Sequence, residues 1–77
     1  MRVVSLGSPV AGDTGPGVAW HLTGSGEEGW RAQRFTNGNP DDRSIASPDY
    51  LMVADYLRLL GLQRGRSADP AVVEVWS

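Results

Sequence analysis

The stretch MRVVSLGSPVAGDTGPGV, residues 1–18, decides how this chain is read. A short apolar run (Val3, Val4, Leu6) enters a loop with glycines at 7, 12, 15 and 17, and an apolar pattern resumes at Val18. That order reads as a buried strand over residues 2–6, a tight loop and the start of a helix, the place where an α/β protein keeps a functional loop. Glycines this dense mean that the backbone itself approaches something closely or turns through positive φ. Asp13 is the one charge in the loop. The spacing Gly7-xxxx-Gly12-Asp13-Thr14 falls one residue short of the phosphate-cradling pattern G-x-x-x-x-G-K-[ST]. Asp13 stands where that pattern has its lysine, and a carboxylate there repels phosphate, which argues against nucleotide binding.

Outward from this loop, Pro16 suits the first turn of a helix through Val18, Ala19, Trp20 and Leu22, which Thr23-Gly24-Ser25-Gly26 stops. Residues 1–22 thus form a strand-loop-helix unit, and residues 23–29 a flexible polar linker. Trp30 to Phe35 has the weak alternation of an edge strand, and residues 37–42 carry turn chemistry in a segment that is loop as far as Ala46. The strongest local signal is a helix over 47–61. Ser47 is a good N-cap, Pro48 fits the first helical position, and Asp49 sets a negative charge at the positive end of the helix dipole. Tyr50, Val53, Ala54, Leu57 and Leu60 recur at helical spacing, Asp55 and Arg58 are placed to pair, and Gly61 is placed to close the helix. Residues 71–76 read as a largely buried final strand. Strand, helix, helix, strand predicts a single α/β domain over 1–77 with a small parallel-type sheet and a right-handed crossover.

Composition bounds the chemistry. At 77 residues the core has little margin, so nearly every apolar run is needed in it. There is no cysteine, hence neither a disulfide framework nor a thiolate metal site. Lysine is also absent, which removes Schiff-base chemistry. Seven arginines are scattered among nine acids for a net charge of −2, so no basic stripe marks a nucleic-acid partner. The apolar runs are too short for a membrane span or a secretory signal, and the expected compartment is the cytoplasm.

The loop LGSPVAGDTGPGV resembles the opening signature of the hydrogenase maturation endopeptidases, G-N-P-x-x-G-D-[DE]-G-x-G. Gly7, Pro9, Gly12, Asp13, Gly15 and Gly17 match, while Ser8 and Thr14 depart from it. The segment FTNGNPDDRSIASPDYLMVADYLRLLG is similar to the part of that family in which a Ser-Pro-His-like turn opens a helix of the type L-x-L-A-D-x-L. There Ser47, Pro48, Leu51, Val53, Ala54, Asp55 and Leu57 fit, and Asp49 holds the histidine position. The resemblance covers residues 1–22 and about 35–76 and leaves the family's middle without a counterpart. It implies C-terminal trimming of a hydrogenase large-subunit precursor, guided by nickel already carried in that substrate. Its first metal-binding carboxylate falls on Thr14, the histidine on Asp49, and the middle acid on nothing.

The residues this leaves for a metal-recognition edge are Asp13 and Asp49, which offer only hard oxygen ligands where nickel favours imidazole. Other chemistry is thin. His21 is the only histidine, and reads as a surface or half-buried residue rather than a catalytic one. Trp20, Trp30 and Trp76 read as core, with an apolar groove as the alternative. Arg64 and Arg66 read as a solvated loop that at most grips an acidic partner. Two functions of different class follow: a nickel-guided endopeptidase, or a catalytically inactive truncated member acting as a binding or self-associating module through exposed sheet edges.

Overall fold

The computed structural model describes residues 4–77. Among the described residues three strands come first: β1 (Val18–Ser25), β2 (Gly29–Thr36) and β3 (Asn39–Ser47). The helix α1 (Tyr50–Leu59) follows, and two short strands, β4 (Arg64–Arg66) and β5 (Glu74–Trp76), complete the chain. They form one sheet in the order β3-β2-β1-β5-β4, and every pairing is antiparallel. The expected parallel-type α/β sheet is therefore corrected to an antiparallel sheet carrying one helix on one face.

The correction begins at Val18. Val-Ala-Trp-His-Leu is short enough to satisfy either period, but Trp20 and Leu22 are fully buried while Ala19, His21 and Thr23 on the alternate positions are only half-buried. That is the period-two alternation of a strand with one covered face. The presumed linker is the tip of the β1–β2 hairpin, whose register runs from Val18↔Thr36 to Ser25↔Gly29 around residues 26–28. Trp30 to Phe35 is a strand as expected, yet an interior one, flanked by β1 and β3. The turn chemistry at 37–42 resolves into a two-residue turn, Asn37 (φ 53°) and Gly38 (φ 83°), which joins β2 to β3. The remainder of that expected loop is the β3 strand itself.

The helix lies where its periodicity put it, with its start moved by two residues. Asp49 is the N-cap: its side chain accepts from the Leu51 amide at 3.0 Å, while Ser47 Oγ accepts from the Asp49 amide at 3.1 Å. At the other end Leu62 N–H donates to Leu57 O and Gly61 N–H to Arg58 O, the paired bonds of a Schellman ending, and Gly61 has the φ of +87° that this ending requires. Asp55 and Arg58 pair at 2.8 Å on the exposed side.

The core lies between α1 and the covered face of the sheet. Trp20, Leu22, Ala32, Ile45 and Trp76 meet Val53, Ala54 and Leu57 there, each at most 1 % exposed. Burying a side chain such as Leu22, Ile45 or Leu57 contributes about 2 kcal/mol. Of the expected first strand, Arg2 and Val3 lie outside the described residues. Val4 is exposed, and Ser5 makes an isolated antiparallel bridge to Ala46 at the outer side of β3. The expected final strand shortens to β5, with Val73 N–H already donating to Leu22 O beside it. Among the described residues no helix is long and apolar enough to cross a membrane.

Candidate functional site

Two clusters of polar side chains stand out, one at each side of the sheet. The first surrounds Asp13. Between Gln33↔Ser44 and Phe35↔Pro40 the β2–β3 register shifts, so that residues 41–43 lie opposite Arg34 alone. This bulge gathers Arg34, Asp41 and Arg43 at one end of the covered face, where Arg34 sits directly across from Trp20. The Gln33 side-chain Nε2 donates to the backbone carbonyls of Asp41 and Arg43, so oxygens displaced from the ladder keep partners.

Asp13, 2 % exposed, is inserted into this cluster from the glycine-rich loop. Its Oδ1 accepts from Arg34 Nη1 and Arg43 Nε, both at 3.0 Å, and its Oδ2 from the Val10 amide at 2.9 Å and Arg43 Nη2 at 3.2 Å. Its backbone carbonyl accepts from Trp20 Nε1 at 2.8 Å. Arg43 also reaches Tyr56 Oη at 2.7 Å and Ser8 O at 3.1 Å, while Arg34 and Thr36 both donate to Asp41 Oδ2 at 2.8 Å. Burial pushes the Asp13 carboxyl up, but the Arg43 hydrogen bond, the Val10 amide and the two guanidinium charges outweigh it and leave its pKa below the ordinary value. Arg34, chiefly by its hydrogen bond, holds Asp41 low as well. The cluster is a clasp that fastens the loop to the sheet and helix.

The sequence placed a metal-recognition edge on Asp13 and Asp49, and the structure gives each a partner set of its own. Asp49 is exposed and caps α1 through the Leu51 amide, whereas Asp13 is buried among Arg34, Arg43 and the Val10 amide. No hydrogen bond or ion pair joins the two. Among the described residues no group of three His, Asp or Glu side chains is arranged to hold a metal ion. Thr14 is exposed on the same loop. His21 lies on the uncovered face of the sheet, stacked on Phe35 with ring centroids 3.8 Å apart.

The second cluster lies at the β4–β5 side. The Glu74 carboxylate accepts from Tyr50 Oη at 2.8 and 2.9 Å and from Trp76 Nε1 at 3.0 Å, and Arg64 Nη1 stands 3.8 Å from it. Burial, joined by the bond to Glu74, pushes the Tyr50 hydroxyl up, so it stays a proton donor to that carboxylate. Arg64 pairs with Glu74 and meets the Tyr50 hydroxyl, yet its side chain stays 60 % exposed. Arg58 lies over the Trp76 ring at 5.5 Å. Arg64, Gly65, Arg66, Val73 and Glu74 line an open groove of about 410 Å³.

The backbone of β4 is the less visible part of this site. Gln63 and Ser77 exchange both N–H···O bonds, and the register continues Arg64↔Trp76, Gly65↔Val75, Arg66↔Glu74. In an antiparallel pair, hydrogen-bonded and non-hydrogen-bonded positions alternate. Gly65 therefore directs its N–H and C=O inward to β5, while those of Arg64 and Arg66 point outward from the last strand of the sheet. All three residues are exposed. The sequence reading had these arginines in a solvated loop; the alternation Arg-Gly-Arg, two like side chains on one face, was the available sign of a strand. Tyr50 and Glu74 carried no such sign, because their pairing spans 24 residues. Comparison of the chain with family models, with curated proteins and with solved structures gives no match.

Proposed function

We propose that the chain is a protein-binding module that takes up an extended segment of a partner as an additional strand on β4. The observation that carries this reading is the row of outward backbone donors and acceptors at Arg64 and Arg66, on an exposed strand that ends the sheet. The opposite edge is defended. β3 carries Pro40, the bulge at residues 41–43 and two acidic residues, and Ser5 occupies the backbone of Ala46. The polar residues with catalytic potential are otherwise engaged: Asp13 and Asp41 bind arginines, and His21 stacks on Phe35.

The test is an NMR titration with extended peptides. The Arg64 and Arg66 amides are expected to shift and to gain protection from hydrogen exchange, and Arg66→Pro, which deletes one outward N–H, is expected to abolish binding. Shifts centred elsewhere, with Arg66→Pro binding normally, would remove the reading. Processing of a hydrogenase large subunit stands as a second reading, supported by the motif residues Gly7 to Gly17 and Ser47 to Leu57 alone. Cleavage of a nickel-loaded precursor by the chain is the result it requires.

A further inference from the structure

We infer that the segment taken up by β4 is acidic at alternate positions, of the form acid, large apolar residue, acid; this deepens the strand-addition reading and rests on it. The side chains of Arg64 and Arg66 share a face with Trp76 and Glu74, the residues directly opposite them on β5. A strand pairing antiparallel with the outward groups of β4 sets one residue beside Arg64 and another beside Arg66, two positions apart, with both side chains on the arginine face. Carboxylates at those two positions meet a guanidinium each. Beside Arg66 the row across the sheet becomes carboxylate, guanidinium, carboxylate, with Glu74 as its inner member. Glu74 already has Tyr50, Trp76 and Arg64 as partners, and Arg66, directly across from it, has no ion pair among the described residues.

The residue between the two acids falls on the uncovered face, beside Gly65. Gly65 has no side chain of its own to cover its neighbours, and Val75, half-buried and directly across from it, offers apolar surface to a larger side chain on the added strand. The same geometry argues against a second copy of the chain as the occupant. Antiparallel pairing of β4 with itself about Gly65 would set Arg64 of each copy opposite Arg66 of the other, and like charges directly opposite each other are destabilising.

The experiment uses the full chain and three capped peptides: Ser-Thr-Thr-Glu-Val-Glu-Thr-Thr-Ser, its isomer with the two glutamates adjacent, and its form with glutamine for glutamate. The alternating acidic peptide is expected to bind about tenfold more tightly than the glutamine form, a few-fold for each exposed pair, with the preference shrinking as salt rises. The isomer is expected to lose most of the gain. The double change Arg64→Glu and Arg66→Glu is expected to reverse the preference towards a peptide with lysine at the two acid positions. If reversal beside Glu74 prevents folding, Arg64→Ala with Arg66→Ala is expected to make the acidic and glutamine peptides equal.

Equal affinity of wild type for the acidic and glutamine peptides, with Arg66→Pro still abolishing both, would overturn the acidic specificity and leave strand addition standing. An acidic preference that persists in Arg66→Pro would overturn strand addition and this inference with it. Protection of the Arg64 and Arg66 amides that appears with rising protein concentration alone would assign the edge to a second copy and overturn the inference. Failure of all three peptides to bind would overturn both.

Discussion

Removing Asp13 takes from Arg43 its ion-pair partner and leaves Arg34 with the partly exposed Asp41 alone, so Asp13 is the central position of the clasp. Arg34 and Arg43 are 15 % and 18 % exposed and converge on it. Deleting the buried member of such a group leaves the Arg43 charge uncompensated, at a cost of about 3 kcal/mol. Asp13→Ala is therefore expected to lower the unfolding free energy by about that amount in a urea titration, and Asp13→Asn by less, because an amide oxygen can still accept from the Val10 amide. The pH dependence has a definite sign. Asp13 and Asp41 both have pKa values lowered in the folded chain from 3.8. The unfolded chain then binds more protons just below that value, so the stability they contribute is complete above about pH 5 and is lost as the pH falls through 3.8 towards the folded values. Urea midpoints measured from pH 6 down to pH 2.5 should fall steeply below pH 4, with a shallower fall in Asp13→Asn. The sequence showed Asp13 as the single charge of its loop. Its arginines, 21 and 30 residues away, left no local trace.

At the scale of elements, the helix and the turns were readable because their signals act within a few residues. The sequence put the cap of α1 at Ser47 and the structure puts it at Asp49, two residues on; Asp49→Ala is expected to cost about 1 kcal/mol, read as a lowered thermal midpoint without loss of the fold. The β1–β2 pair was misread because a glycine within a strand looks like a stop. Gly24 instead permits close approach: a Cβ there would lie 2.1 Å from Gly29 O and 2.8 Å from Trp30 Cα, at a φ of +140°. Gly24→Ala is thus expected to destabilise the chain by about 2 kcal/mol or more through combined clash and strain, checked by denaturation and by altered amide shifts across the Gly24↔Trp30 pair. Equal stability of that variant would show that the hairpin end opens at little cost.

At the scale of the molecule, the glycine-rich segment acts as a clasp over one end of a two-layer structure. Its backbone receives Trp20 Nε1, its carboxylate neutralises the arginines at the bulge, and Ser5 borders the β3 edge. Deleting residues 1–16 removes all three contacts. The expected result is a red-shifted tryptophan emission and a lower unfolding midpoint, whereas unchanged values would mean that the segment contributes nothing to the core. The same clasp explains why the two sheet edges differ. One is crossed by Ser5, interrupted by Pro40 and bulged, and the other, β4, keeps its outward hydrogen-bonding groups exposed.

By itself the sequence determined the punctuation of this protein: a turn somewhere within residues 37–42, the helix from its cap region to Gly61, and the absence of thiol and lysine side chains. Capping, turn preference and helical periodicity are settled among residues within about four positions of one another. Tertiary structure alone decided that Val18 to Leu22 is a strand, that Asp13 faces Arg34 and Arg43, and that β4 is left as the open edge. A strand has half its hydrogen bonds and one face unsatisfied until remote partners arrive, so five residues that fit both periods take the conformation those partners impose.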